Sequence, residues 1–160
     1  MAVDMFLTLE GIKGESRDHK HKDAIQVLAW SWGMSNSGSA HFGSGAGSGK
    51  ANFQDVSLTH YIDKASCALM LHCATGKHIK KGQLIVRKAG DKPLEYLKID
   101  MTDILISSVS TGGSGGEDRL TENISLNFAK VKVEYQAQKQ DGSGEPGGEF
   151  GFDIPGNVKV

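Results

Sequence analysis

Between residues 104 and 135 apolar residues alternate with polar ones, and the parity of that alternation reverses part-way. Ile124, Leu126 and Phe128 fall on one parity, Val131, Val133 and Tyr135 on the other, with Ala129 and Lys130 between them. Strict alternation marks a strand with one buried face. A reversal in mid-run predicts a β-bulge or a sharp bend near Ala129, because one extra residue or a corner restores the same interior to both halves. A bent strand of this kind serves two sheets or carries one sheet round into a barrel. The preceding Gly112-Gly113-Ser114-Gly115-Gly116 has no apolar residue and belongs at a surface.

The remaining composition fits that beginning. At 160 residues the chain is expected to be one domain, residues 1–160, large enough to bury roughly 70% of its unfolded surface. Its 21 glycines gather in blocks between periodic segments, which suits a mainly β protein with long loops. A formal charge of −1 gives no electrostatic footprint for nucleic acid or anionic lipid. No apolar run reaches the roughly 20 residues of a membrane helix, and residues 1–6 do not read as a secretory signal. Cys67 and Cys73 lie six residues apart in a predicted helix, about 9 Å along its axis, so they do not pair with each other. They read as free, buried thiols of a chain folded in a reducing compartment.

Along the chain, Met5, Leu7 and Leu9 mark a first strand, and residues 11–23 a polar loop. Residues 24–34 read as a strand with Leu28, Trp30, Trp32 and Met34 on a bulky core face. Ile25, Val27, Ala29, Ser31 and Gly33 then form a flat outer face. Residues 35–50, rich in Ser and Gly, are too long for a hairpin turn and are expected to form an extended arm. Val56 and Leu58 mark a third strand with Phe53 near its start. Ile62, Ala65, Leu69 and Cys73 recur at helical spacing, with Asp63 or Ser66 as cap and Gly76 as terminator. This one helix is expected to plug a barrel end or cover a sheet edge. Residues 84–89 and 94–101 form a hairpin about Gly90-Asp91-Lys92-Pro93. A polar stretch runs on to Gly148, and Phe150, Phe152 and Ile154 mark a last short strand.

No reactive constellation emerges. Residues 44–51 bring a phosphate loop to mind, but Ser44 and Ala51 stand where Gly and Ser or Thr are needed, and a strand rather than a helix follows. The glycines at 112–116 open no helix and fail as a dinucleotide fingerprint. His19 and His21 sit among Arg17, Lys20 and Lys22, whose charge opposes a divalent ion, so they read as a solvated loop. His41, His60, His72 and His78 are scattered without a zinc spacing. Gly47-Ser48-Gly49 lacks the nucleophile-elbow pattern. Glu117, Asp118, Arg119 and Glu122 read as a surface or interface ion-pair set. The expectation is no catalytic residue, no metal, no cofactor and no enzyme.

Several short segments nevertheless occur in a telling order: Gly14-Glu15-Ser16, Trp30-Ser31-Trp32-Gly33, Tyr61-Ile62-Asp63-Lys64-Ala65-Ser66, Gly76-Lys77-His78, Arg87-Lys88-Ala89-Gly90, and Val109-Ser110 with Glu122-Asn123-Ile124. Together they resemble the haemolysin-coregulated protein family, the tube subunit of bacterial type VI secretion systems. The resemblance runs from Met5 to Phe152-Asp153-Ile154. It departs at Cys67, where relatives often carry proline, and it implies no fused toxin domain, so that cargo would be held noncovalently.

The resemblance implies a small β-barrel of two sheets with one helix and a long extended loop. It also implies a homohexameric ring that stacks into a tube inside a contractile sheath, under a spike protein. Small effector proteins ride within the ring, and the assembly forms in the cytoplasm before secretion without a signal peptide. A ring needs a heterologous interface that closes, and a tube needs complementary ring faces. His41 and Gly45 in the arm and Gly90 and Asp91 in the turn are the expected ring or stacking contacts, and Ser31 the expected lumen or cargo contact. A phage-type tail-tube protein without effector cargo is the alternative. A carbohydrate-binding module would need exposed aromatics, whereas Trp30 and Trp32 read as buried.

Overall fold

Two long strands frame the molecule, described here by a computed structural model for residues 3–36 and 50–160. β7 (Leu94–Thr111) and β8 (Thr121–Gln138) pair antiparallel along almost their whole length, from Leu97 opposite Tyr135 to Thr111 opposite Glu122. Both switch the parity of their buried residues at the same level. Ile99 and Met101 give way to Ile104 and Ile106 on β7, as Val131 gives way to Phe128, Leu126 and Ile124 on β8. The ladder keeps its register through this level, with Thr102 opposite Lys130 and Ile104 opposite Phe128. Of the two accounts open from sequence, the sharp bend is therefore the one found at Ala129. Asp103 takes up the partner strand's share of the corner with φ 56°. A true bulge lies further on, between Ile106 and Ser108.

The corner lets β8 change partners. Its first half pairs with β5 (Val56–Tyr61) and its second half with β9 (Gly144–Asp153). From β5 the sheet continues through β2 (Ile25–Ser31), β1 (Val3–Leu9) and β6 (Ile79–Lys88) to β7, which returns to β8. Six strands thus close into an antiparallel barrel, which satisfies backbone groups that open edges would expose. β9 and the two-residue β10 (Val158–Lys159) extend the sheet beyond it. The interior is filled by Leu7, Leu9, Ile25, Leu58, Leu84, Ile99, Met101, Ile104, Leu126 and Phe128, among others. Gly82 is required there, because a Cβ would lie 2.7 Å from Ile104 Cδ1 and 2.8 Å from Leu9 Cδ2.

β2 departs from expectation. Ile25 and Val27 are buried, Leu28 is 41% exposed and Met34 44% exposed. The register against β5 shifts between Val27 and Ala29, and this irregularity moves the inward parity from Ile25 and Val27 to Trp30. Trp30 and Trp32 pack against the core while remaining half-buried, less enclosed than the sequence suggested. Met34 belongs to a separate ribbon, β3 (Met34–Ser35) paired with β4 (Asn52–Phe53), at the foot of the 35–50 segment. Trp32 Nε1 donates to the Gln54 carbonyl at 2.9 Å, and Phe53 packs on Phe152 with centroids 5.2 Å apart, tying that foot to β9. Most of the expected arm, including His41 and Gly45, lies outside the described residues.

α1 spans Ser66–Thr75 and packs against β7, sending Ala65 and Leu69 into the core. The N-cap falls to Ala65 with no side-chain cap bond, which corrects the expectation of Asp63 or Ser66; both instead tie the turn just ahead of the helix. Asp63 Oδ1 accepts the Ala65 N–H at 2.9 Å, while the Asp63 N–H donates to Ser66 Oγ at 3.1 Å. Gly76 ends the helix in the left-handed region, φ 72°, donating its N–H to the His72 carbonyl. Ile62 precedes the helix and is exposed, so only part of the predicted apolar stripe faces inward. The cysteines are both free, but Cys67 is exposed and Cys73 half-buried, which corrects the expectation of two buried thiols. Their spacing on an amphipathic element decides this: Leu69 takes the inward position and Cys67 faces away from it.

The hairpin about residues 89–93 forms as expected, with β7 running on without interruption past Met101 to Thr111. β9 starts earlier than the apolar alternation indicates. Residues 144–149 pair with β8 despite their glycines, because backbone pairing needs no apolar side chain. The loop of residues 10–24 carries little regular structure and is held by backbone bonds, such as Gly14 N–H to the Asp23 carbonyl at 2.7 Å and Ser16 N–H to the Ala24 carbonyl at 3.0 Å, and by side chains. Arg87 Nη1 and Nη2 bond Asp18 at 2.9 and 2.6 Å, Nη2 also reaches Asp4 at 3.1 Å, and the guanidinium sits 5.1 Å from the Phe6 ring centroid.

Candidate functional site

The surface with a chemistry of its own is the outward face of β2, β5, the first half of β8 and the second half of β7. Ser31 pairs with Ser57, Ser57 with Ser125 and Ser125 with Ser108, so one row of four serines crosses four strands. The adjacent row reads Ala29, Thr59, Asn123, Ser110. Period-two alternation explains the arrangement. Leu58, Ile124 and Leu126 point into the barrel, so the residues between them must face out. The face is a shallow open depression of about 430 Å³ lined by these residues with Trp30, Leu58 and Ile124, and none of the lining side chains is charged.

The hydroxyls are tied to one another. Thr59 Oγ1 donates to Asn123 Oδ1 at 2.6 Å, Ser107 and Ser125 Oγ atoms lie 2.9 Å apart, and Ser108 also contacts Ser125. Asp55 closes one end, accepting from Ser107 Oγ at 2.6 Å and from Asn127 Nδ2 at 2.9 Å. The opposite sheet differs in kind. Across its outward rows Lys81, Thr102 and Lys130 align, as do Gln83, Asp100 and Lys132. One side of the barrel is thus small, neutral and hydroxylated, the other charged.

Ser31 is exposed at one end of the serine row. Gly90 and Asp91 are exposed at the tip of the β6–β7 hairpin, Gly90 with φ 146°, and do not join the wall around Ser31. Two groupings made from sequence separate in space. Glu122 is 1% exposed, pairs across the ladder with His60, and stands apart from exposed Glu117, Asp118 and Arg119. It falls on the inward parity of β8, which its neighbours in the sequence conceal. Arg119 instead lies 3.7 Å over the Tyr61 ring. His21 is not free in solvent, for its Nε2 lies 2.6 Å from Glu95 Oε1 and its ring stacks on Phe6. Hydrogen bonding to His21 holds the Glu95 carboxyl below the usual range against the opposing effect of burial.

Sequence reasoning missed the buried set formed by His60, Glu122 and Asp63, and the Arg87–Asp18 clamp. Only the alternation around Glu122 carried any signal of the former. Among the described residues, no group of three or more His, Cys, Asp or Glu side chains is arranged to hold a metal ion. No helix among them is long and apolar enough to cross a membrane.

The class the fold defines is a closed six-stranded antiparallel barrel with one neutral and one charged face. Comparison with known proteins gives that class a family. The family model described as the type VI secretion system effector Hcp matches residues 6–135. The chain is 58% identical to Protein hcp1 of Pseudomonas aeruginosa, with all of both chains covered. It is similar to the crystal structure of Hcp1 from Salmonella typhimurium, with TM-score 0.79 and 38% identity over all of both chains. A structure of a type six secretion system protein aligns with TM-score 0.92 and 31% identity, covering 99% of this chain and 100% of the other. The chain belongs to the Hcp family. It is a tube subunit of a type VI secretion system, a structural protein rather than an enzyme, and it leaves the cell by that system.

Proposed function

We propose that the chain, acting as one tube-protein domain over residues 1–160, forms hexameric rings that stack into a hollow tube. In this reading the serine row from Ser31 to Ser108 faces the lumen and touches small effector proteins. The charged opposite face looks outward toward a contractile sheath, and a spike protein caps the tube. Assembly takes place in the cytoplasm and precedes export. The Gly90-Asp91 turn and the 35–50 segment, with His41 and Gly45, supply contacts between neighbouring subunits or rings.

The observation that carries this reading is the unbroken row Ser31–Ser57–Ser125–Ser108, with no charged side chain in the depression it lines. A wall that must hold varied cargo and let it slide favours short, neutral hydrogen-bonding groups over fixed charges, which would select one electrostatic pattern. Negative-stain images of the purified protein are expected to show rings with a central hole. Ser31→Trp is expected to keep the rings but lose co-purified effector. Intact effector retention in that variant would remove Ser31 from the lumen, and solitary subunits at all concentrations would remove the ring.

A further inference from the structure

Inside the barrel wall, beneath the start of α1, three ionisable side chains meet away from water. His60 on β5 is 0% exposed and Glu122 on β8 is 1% exposed. His60 Nε2 lies 2.8 Å from Glu122 Oε1, and its Nδ1 faces Asp63 Oδ2 at 3.9 Å. The first approach is close but off the line of a hydrogen bond, and neither imidazole nitrogen nor either Glu122 oxygen has another partner. From β7, Thr111 stands opposite Glu122. From α1, Ser66 bonds the Asp63 backbone. Glu15, on the 10–24 loop, approaches through the Lys64 N–H, which it accepts at 3.1 Å. Among the described residues, no lysine or arginine forms an ion pair with any of the three.

The geometry favours a second proton. Each imidazole nitrogen faces a carboxylate oxygen, and a neutral imidazole carries one N–H. At 3.9 Å the Nδ1–Asp63 approach is no hydrogen bond, yet a lone pair opposed to a carboxylate away from water is costly, and a proton on His60 Nδ1 or Asp63 Oδ2 relieves that cost. Burial pushes the Asp63 carboxyl up, in the direction of holding that proton, against the Ala65 N–H bond and the charge of His60, which lower it, and with Glu15 and Glu122 adding to the rise. Asp63 is also the residue whose other oxygen accepts the Ala65 N–H at the head of the helix.

We propose that His60, Glu122 and Asp63 form a proton-dependent latch: one shared extra proton ties Asp63, at the head of α1, to the β5–β8 seam, and its loss loosens the first turn of the helix. The sign follows from counting. In the unfolded chain the histidine carries the same proton up to about pH 6.5 and releases it above that value, whereas the folded set retains it. Stability therefore falls as pH rises above about 6.5, with the folded-to-unfolded ratio dropping up to tenfold per pH unit until the folded set itself releases the proton.

The test compares the full chain with Asp63→Asn and Glu122→Gln in urea titrations at pH 6, 7, 8 and 9 and fixed protein concentration. Either amide supplies an N–H to the imidazole without titrating, so each variant is expected to lose the alkaline slope that the parent shows. Equal slopes in all three proteins overturn the latch. Nuclear magnetic resonance of the parent at pH 7 provides a check that needs no variant. A singly protonated His60 with both Asp63 and Glu122 ionised refutes the proposal. Amide-exchange protection of residues 66–70 is expected to weaken above pH 6.5 in the parent alone, and protection independent of pH overturns the link to α1.

Discussion

Replacing Arg87 with methionine isolates what holds the 10–24 loop. The guanidinium makes two bonds to Asp18 and one to Asp4 and lies over Phe6, with side-chain exposures of 10% for Arg87 and 22% for Asp18. A fully buried ion pair broken on one side costs about 3–5 kcal/mol and an exposed one about 0–1, so this half-screened clamp is worth about 2 kcal/mol. Methionine keeps most of the apolar stem, which confines the loss to the charge. With a urea slope of about 2 kcal/mol per molar, the midpoint should fall by about 1 M.

The pH dependence gives the same experiment a second edge. Hydrogen bonding to Arg87 holds the Asp18 carboxyl well below the usual range. A carboxyl with a lowered folded value contributes stability that is present above its unfolded value, about 3.9, and is lost as pH falls below it. The parent and variant midpoints should stay about 1 M apart from pH 8 to pH 5, begin to narrow below about pH 4 and close only as pH falls through the lowered folded value. Tryptophan fluorescence can report unfolding through Trp30 and Trp32, at several protein concentrations because association shifts apparent stability. A midpoint shift under about 0.2 M at pH 7, or a gap that does not narrow at all between pH 5 and pH 2, would refute the assignment of loop anchoring to this clamp.

Other changes test other parts of the fold. Leu69→Ala empties the position where α1 enters the core and should cost about 2–5 kcal/mol by calorimetry or denaturant. Gly14→Ala should destabilise measurably in the same assay, since a Cβ would lie 2.5 Å from the Ala24 carbonyl oxygen. Cys67 should react with an aqueous thiol reagent well before Cys73 in the folded protein, as peptide mapping would show, because only Cys67 is exposed. Ser57→Lys places a charge in the middle of the serine row and should reduce effector retention while leaving the far-ultraviolet spectrum unchanged.

Local patterns were legible wherever their cause lay within a few residues. Gly76 ends α1 as read, because the left-handed terminator is a short-range effect, whereas the N-cap fell to Ala65 with no side-chain cap bond and Asp63 and Ser66 bond in the turn ahead of it. Residues 89–93 turn because Pro93 fixes its own φ and Gly90 reaches a positive φ that side chains disfavour. The reversal at Ala129 was visible because a corner changes side-chain parity along one strand. The same logic failed on β2, where the register irregularity at Leu28 leaves no mark in a run that is apolar on both faces. Parity cannot be read where both parities look the same.

Sequence by itself thus determined a mainly β chain, a strand that turns a corner, one capped helix and, through its ordered short segments, membership in the Hcp family. Tertiary structure alone decided that the barrel closes with six strands, that four serines far apart in the chain share one row, and that Glu122 is buried against His60. The physical reason is the range of the interactions. Propensity, capping and alternation act between near neighbours, whereas register and the meeting of charges depend on which distant strand supplies the partner.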